Sequence, residues 1–70
     1  MNIKVNGENI TLETTTKIIS LKVALKKLGY DHRTIVVEYN GVILPSNKWK
    51  DQQLVEGDRL EIVTIVGGGS

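Results

Sequence analysis

Apolar and polar residues alternate over Met1 to Val5. Ile3 and Val5 point one way, and Asn2 and Lys4 the other, which is the two-residue period of a half-buried strand. Asn6-Gly7 follows, a pair that tolerates the positive φ angles of a type I′ hairpin turn. Ile10 and Leu12 then alternate with Asn9, Thr11 and Glu13 in a return strand, and Thr14 to Thr16 forms a polar connection. The period changes at Leu21. Leu21, Ala24, Leu25 and Leu28 recur at three- and four-residue spacing, the apolar stripe of a helix. Ser20 is placed to accept its first free amides, and Gly29 to end it in a left-handed conformation. Lys26 and Lys27 in its last turn suit the negative end of the helix dipole, and Ile18 and Ile19 are expected to staple its entry to the core.

Thr34 to Tyr39 reads as a strand rich in β-branched residues, followed by a second Asn-Gly turn at Asn40-Gly41. Val42 and Ile43 begin a short strand that Pro45 ends, because proline has no amide hydrogen for a ladder. Ser46 to Asp51 predicts a single helical turn around Trp49, which is expected to cover a small core with its indole edge in water. Glu56-Gly57-Asp58 reads as a solvated turn. Arg59 to Val66 is the last strand, with Leu60, Ile62 and Thr64 on one face and Glu61, Val63 and Ile65 on the other.

Hairpin, helix, hairpin and final strand, with both terminal strands in the core, predict an α+β, ubiquitin-like β-grasp: a mixed sheet of four to five strands with one main helix across one face. The core is predicted from Ile3, Val5, Leu21, Leu25, Leu28, Val37, Leu60 and Ile62. Residues 1–66 then make one domain and residues 67–70 a flexible glycine-rich tail.

Composition narrows the chemistry. The chain has 70 residues, no cysteine, one histidine and a net charge of +1. Disulfides, thiolate metal sites and thiol nucleophiles are therefore excluded, and the charge makes no case for nucleic acid or a membrane. No apolar run approaches a membrane span and no signal peptide is visible, so a cytoplasmic protein is expected. His32, in a polar loop without a second histidine, is a poor metal ligand. Glu56 and Asp58 flank a turn glycine as structural turn residues do, and the helix lysines read as a solvated face. Nothing here assembles a catalytic residue set, and the chain reads as a non-enzyme.

Two features remain. If Ile35, Val37 and Tyr39 face the helix, Val36 faces away beside Val63 and Ile65, which makes a small apolar patch suited to a partner. Beyond it the last strand runs straight into Gly67-Gly68-Gly69-Ser70. Glycines lie extended in a slot too narrow for side chains and leave a backbone carboxyl unhindered, as a chemical handle requires. The same four residues also read as a flexible linker.

Taken in order and over the whole length, several segments resemble the sulfur carrier protein of thiazole (thiamine) biosynthesis, the ThiS family. They are Met1-Asn2-Ile3-Lys4-Val5-Asn6-Gly7, Ile35-Val36-Val37-Glu38-Tyr39-Asn40-Gly41, Leu44-Pro45 with Trp49, Val55 to Val63, and Val66-Gly67-Gly68-Gly69. The resemblance implies that an ATP-dependent, E1-like activating enzyme adenylates the terminal glycine, here matched by Gly69, with Gly67 and Gly68 threading its site. A persulfide donor then replaces AMP to leave a thiocarboxylate, which delivers sulfur to thiazole synthase. ATP belongs to the activating enzyme, and no cofactor is bound by the carrier. The family ends on glycine, whereas this chain has Ser70 after Gly69. A sulfur carrier of molybdopterin or cysteine synthesis, or a ubiquitin-like modifier of lysines, would share the fold and the adenylate.

Overall fold

The computed structural model describes residues 1–30 and 33–65. Strands β1 (Asn2–Val5) and β2 (Glu8–Thr11) form the first hairpin, β3 is Ile19–Ser20, and helix α1 is Leu21–Leu28. Strands β4 (Ile35–Tyr39) and β5 (Val42–Leu44) form the second hairpin, a 3₁₀ turn covers Ser46–Lys48, β6 is Gln53–Leu54, and β7 is Arg59–Thr64. The main sheet has five strands in the order β2-β1-β7-β4-β5. β7 lies in the middle, parallel to β1 and antiparallel to β4, and every other pairing in the sheet is antiparallel. This is the mixed β-grasp sheet that the element order predicts. No helix among the described residues is long and apolar enough to cross a membrane.

The helix forms where its signals stand. Ser20 Oγ accepts the Val23 amide at 3.2 Å, and Gly29 ends the helix at φ 88°. Leu21, Ala24 and Leu25 are buried, and Leu28 packs against the core while remaining half-exposed. Both hairpin turns have the positive φ angles their Asn-Gly pairs predict: 52° and 83° at Asn6-Gly7, and 48° and 89° at Asn40-Gly41.

The core is larger than the periodicity indicates. Leu12, Ala24, Ile35, Trp49 and Leu54 join the predicted residues. Trp49 is not a half-wet cover. It is 2% exposed, and its indole N–H donates to the Leu44 carbonyl at 3.0 Å, which removes any need for water at that edge. Leu54 is fully buried in β6, which pairs with β3 in a second, two-stranded sheet. Two-residue strands are too short to show a period, so the sequence does not reveal this sheet. Its register places Ile19 against Leu54. Ile19 packs on the core, whereas Ile18 is 46% exposed and staples nothing. The last strand ends at Thr64 within the described residues, and Val66 lies outside them.

Candidate docking face

The sheet register decides which side chains share the face away from the helix. On β7, Leu60 and Ile62 are buried while Arg59, Glu61 and Val63 are exposed. Val63 stands directly opposite Val36 of β4, and Glu61 opposite Glu38. Val36 is half-buried, Val63 is 59% exposed and Ile65 53% exposed. The Ile65 amide donates to the Thr34 carbonyl at 2.6 Å, so the chain stays tied to the start of β4 one residue beyond the strand. The structure thus brings Val36 and Val63 together, as the alternation predicts, and puts Ile65 one residue past the end of β7. Ile43 of β5, paired with Glu38 and 64% exposed, adds a fourth apolar side chain that the sequence reading leaves out. Counting the alternation back across the Asn40-Gly41 turn would have found it.

Gly67, Gly68, Gly69 and Ser70, on which the terminal chemistry and the tail's flexibility were read, lie outside the described residues, as does His32. What the structure supplies is the mounting of the strand that leads to them. Asn6 does more than turn the chain. Its side chain accepts the Ile62 amide at 2.7 Å and donates to the Ile62 carbonyl at 3.1 Å, extending the β1 ladder along β7 past the end of β1. Asn40 does the equivalent on the other flank, where its side-chain oxygen accepts the Arg59 amide at 2.9 Å. β7 is therefore clamped from both sides by the two turn asparagines.

The turn before β7 is held just as closely. Asp58 is 7% exposed, not a solvated turn residue. Its carboxylate accepts the Tyr39 hydroxyl at 2.8 Å, the Val55 amide at 2.9 Å and the Asn40 side-chain amide at 3.3 Å. Burial, and then the adjacent Asp58 carboxylate, push the Tyr39 hydroxyl above its ordinary value of 10.0. Glu56 stays exposed. It accepts the Asn2 amide at 2.9 Å, and this bond holds its carboxyl below the usual range. Glu56 also lines a surface cavity of about 450 Å³ at the start of β7, together with Asn2, Lys4, Asn9, Gly57 and Arg59. Among the described residues, no group of three or more histidines, cysteines or carboxylates could hold a metal.

Among the described residues, the arrangement presents an apolar surface and mounts the strand that leads toward the chain end. The model of the ThiS family matches residues 3–69. A protein of Pyropia yezoensis called uncharacterized protein ycf40 is 36% identical over 69 residues, covering 99% of this chain and 93% of its own length. A thiazole synthase of Paramagnetospirillum magneticum is 36% identical over 70 residues, all of this chain but only 21% of that protein. Among solved structures, the crystal structure of thiamine biosynthesis protein ThiS from Geobacter metallireducens superposes with a TM-score of 0.82 at 27% identity, covering 99% of this chain and 100% of the other.

Proposed function

The chain belongs to the ThiS family, and on that premise we propose that it is a sulfur carrier of thiamine biosynthesis whose reactive group is the carboxyl of Gly69. A free carboxylate is ionised at neutral pH and resists nucleophiles. In the proposed cycle the ATP-dependent activating enzyme joins it to AMP and releases pyrophosphate. A persulfide sulfur attacks the acyl carbon, AMP leaves, and a thiol reduces the resulting acyl disulfide to free the thiocarboxylate. The acceptor is thiazole synthase. A relative that bears that name contains, within one chain, a stretch similar to the whole of this one. Apart from its terminal carboxylate, whose oxygen attacks the α-phosphorus of ATP as pyrophosphate leaves, the proposed cycle asks no acid, base or nucleophile of the carrier. The carrier contributes an unhindered chain end and a surface by which enzymes hold it, with Val36, Val63 and Ile65 as the apolar contacts.

The observation that carries this reading is the mounting of β7. It is paired on both sides, clamped by Asn6 and Asn40, and leads within a few residues of sequence to Gly67-Gly68-Gly69. A handle is useful to an enzyme when the body behind it is rigid.

Intact mass spectrometry tests the reading. A chain ending at Gly69, given ATP, the activating enzyme and a persulfide donor, gains about 16 Da as sulfur replaces oxygen. A chain that keeps Ser70 loads poorly, because a β-carbon crowds the threaded site, and one lacking Gly68 onward does not load. Equal loading with Ser70 retained refutes the steric argument. No loading, with the chain instead linked to lysines of other proteins, replaces the carrier by a modifier.

A further inference from the structure

The two edges of the main sheet are not alike. At β5, Val42 and Leu44 pair with Tyr39 and Val37, which leaves Ile43 as the residue whose amide and carbonyl face outward. The edge stops there: Pro45 follows without an amide hydrogen, and the Leu44 carbonyl takes the Trp49 indole. At β2 the edge is open. The Asn2 carbonyl accepts the Gly57 amide, and the amides of Lys4 and Asn6 donate to the carbonyls of Asp58 and Leu60, so these residues turn toward β7. Ile3 and Val5 therefore turn toward β2, where they face Ile10 and Glu8. Leu12 likewise bonds Met1 in both directions, at 2.7 and 3.0 Å. Asn9 and Thr11, between these pairs, point their amides and carbonyls out of the sheet. β2 contains no proline, and its register with β1 is unbroken. A groove follows the same edge on the helix side. Surface cavities of about 300, 370 and 400 Å³ run into one another between β2 and α1, the first two sharing Ile10 and Leu28 and the last two sharing Glu13 and Lys27. Ile10 and Leu28 are half-buried against the core. Glu8 and Lys27 are exposed, and neither forms an ion pair among the described residues.

We propose that β2 is a self-association edge, which pairs antiparallel with β2 of a second copy about a twofold axis at Ile10. Asn9 then bonds Thr11 of the second copy, and Thr11 bonds its Asn9, so every outward amide and carbonyl of the strand is used. Ile10 meets Ile10 on the axis, on the helix side of the sheet, with Leu28 of each copy beside it. Glu8 of the second copy stands opposite Leu12, in the stretch of groove that Lys27 lines. The twofold therefore sets a Glu8–Lys27 ion pair on each side of the axis. This coincidence selects a second copy over an unrelated strand: one rotation matches backbone, apolar and charged groups together. Assembly also closes at two, because β5 becomes the outer edge on both sides and is stopped by Pro45. The outward face with Val36 and Val63 stays uncovered. The two β7 strands lie five strand spacings apart, roughly 24 Å at about 4.8 Å each, and run in opposite directions. Each copy thus sends its last strand toward an opposite end of the joined sheet, and pairing at β2 is independent of the chemistry proposed for the chain ends. One short strand and its groove make a small contact, so a dissociation constant on the order of 100 μM is expected.

Sedimentation velocity of the full chain, from about 10 μM to about 1 mM, tests the pairing. The parent should pass from one chain to two over this range. Amide exchange at Asn9 and Thr11 should slow with rising concentration, while exchange at Ile10, already bonded to β1, should not change. Thr11→Pro removes an outward amide and leaves the β1 ladder intact. It should stay monomeric throughout, with circular dichroism showing the parental fold. Exchange of charge gives a second handle that does not touch the backbone. Glu8→Lys alone and Lys27→Glu alone should each raise the dissociation constant roughly fivefold or more at low salt, and the two together should return it to within about twofold of the parent's. A parent chain that remains monomeric at about 1 mM overturns the proposal. If its Asn9 and Thr11 amides become protected only when thiazole synthase is added, the edge belongs to a strand of that enzyme instead. A dimer that the single charge variants leave untouched, or that Val63→Asp disperses, overturns it as well, because the contact would then lie on another surface.

Discussion

The two faces of β7 differ in what they spend their side chains on. Toward the helix, Leu60 is 1% exposed and Ile62 is 6% exposed, packed with Val37, Leu25 and Leu21 in the core. Away from it, Arg59, Glu61 and Val63 face water, and both charged residues sit opposite a like charge. The same backbone, with the same hydrogen bonds, thus makes the fold with one set of alternate residues and leaves a surface of poor intrinsic pairing with the other. The difference teaches that stability alone did not shape the outer face. A sheet selected only to stay folded would place opposite charges across its central strand and fewer branched apolar residues in water.

The sharpest way to break this comparison is to truncate one residue on each face. Leu60→Ala should cost about 2–5 kcal/mol, as a buried leucine truncation does, and a domain this small has little stability to spare. Val63→Ala, three positions along the same strand, should stay within about 0.5 kcal/mol. Urea titration of the pair reads both values, and equal losses would mean that the outer face is part of the core. The converse experiment is Val63→Asp. Its unfolding midpoint should barely move, while affinity for the activating enzyme and for thiazole synthase should fall by about 2 kcal/mol, the scale of an interface anchor. Calorimetric binding at parental affinity by a folded variant would remove Val63 from the docking surface.

Smaller effects probe what holds β7 between its two faces. Asp58→Ala leaves the Val55 amide and the Tyr39 hydroxyl without their acceptor, and should cost about 1–3 kcal/mol in denaturant. Asn6→Gly keeps the positive φ of the turn but strips the clamp from Ile62, for about 1 kcal/mol. Amide exchange at Ile62 should quicken in this variant while Leu25 stays protected, and uniform quickening would show a global rather than a local loss. The least effect concerns pH. The Tyr39 hydroxyl is raised in the folded protein, so above about pH 10 the unfolded chain releases this proton first and stability falls as pH rises. Below that pH the contribution is fully present. Alkaline melting curves should be flatter for Tyr39→Phe than for the parent chain, and identical slopes would discount the Tyr39–Asp58 contact.

Much of this molecule is legible without coordinates where a signal is local or periodic. Ser20 and Gly29 bound the helix by their hydrogen-bonding and φ preferences, and Asn6-Gly7 and Asn40-Gly41 set both hairpins. The alternation from Leu60 to Val63 separates the two faces of β7, and with it Val63 of the outer apolar patch, whereas Ile43 of the same patch goes unnoticed. The glycine run and its likeness to the ThiS family point to a carrier.

Contacts between residues far apart in the chain were decided only by the tertiary structure. Burial of Asp58 depends on Tyr39 and Asn40 arriving from the second hairpin. The clamp of Asn6 on Ile62 spans most of the chain. The like-charge pairs arise from register between β1, β7 and β4, which no single strand's pattern contains. A side chain's periodicity states which way it points along its own strand. What it meets there is set by the strand that pairs beside it, and that choice is made by the whole core at once.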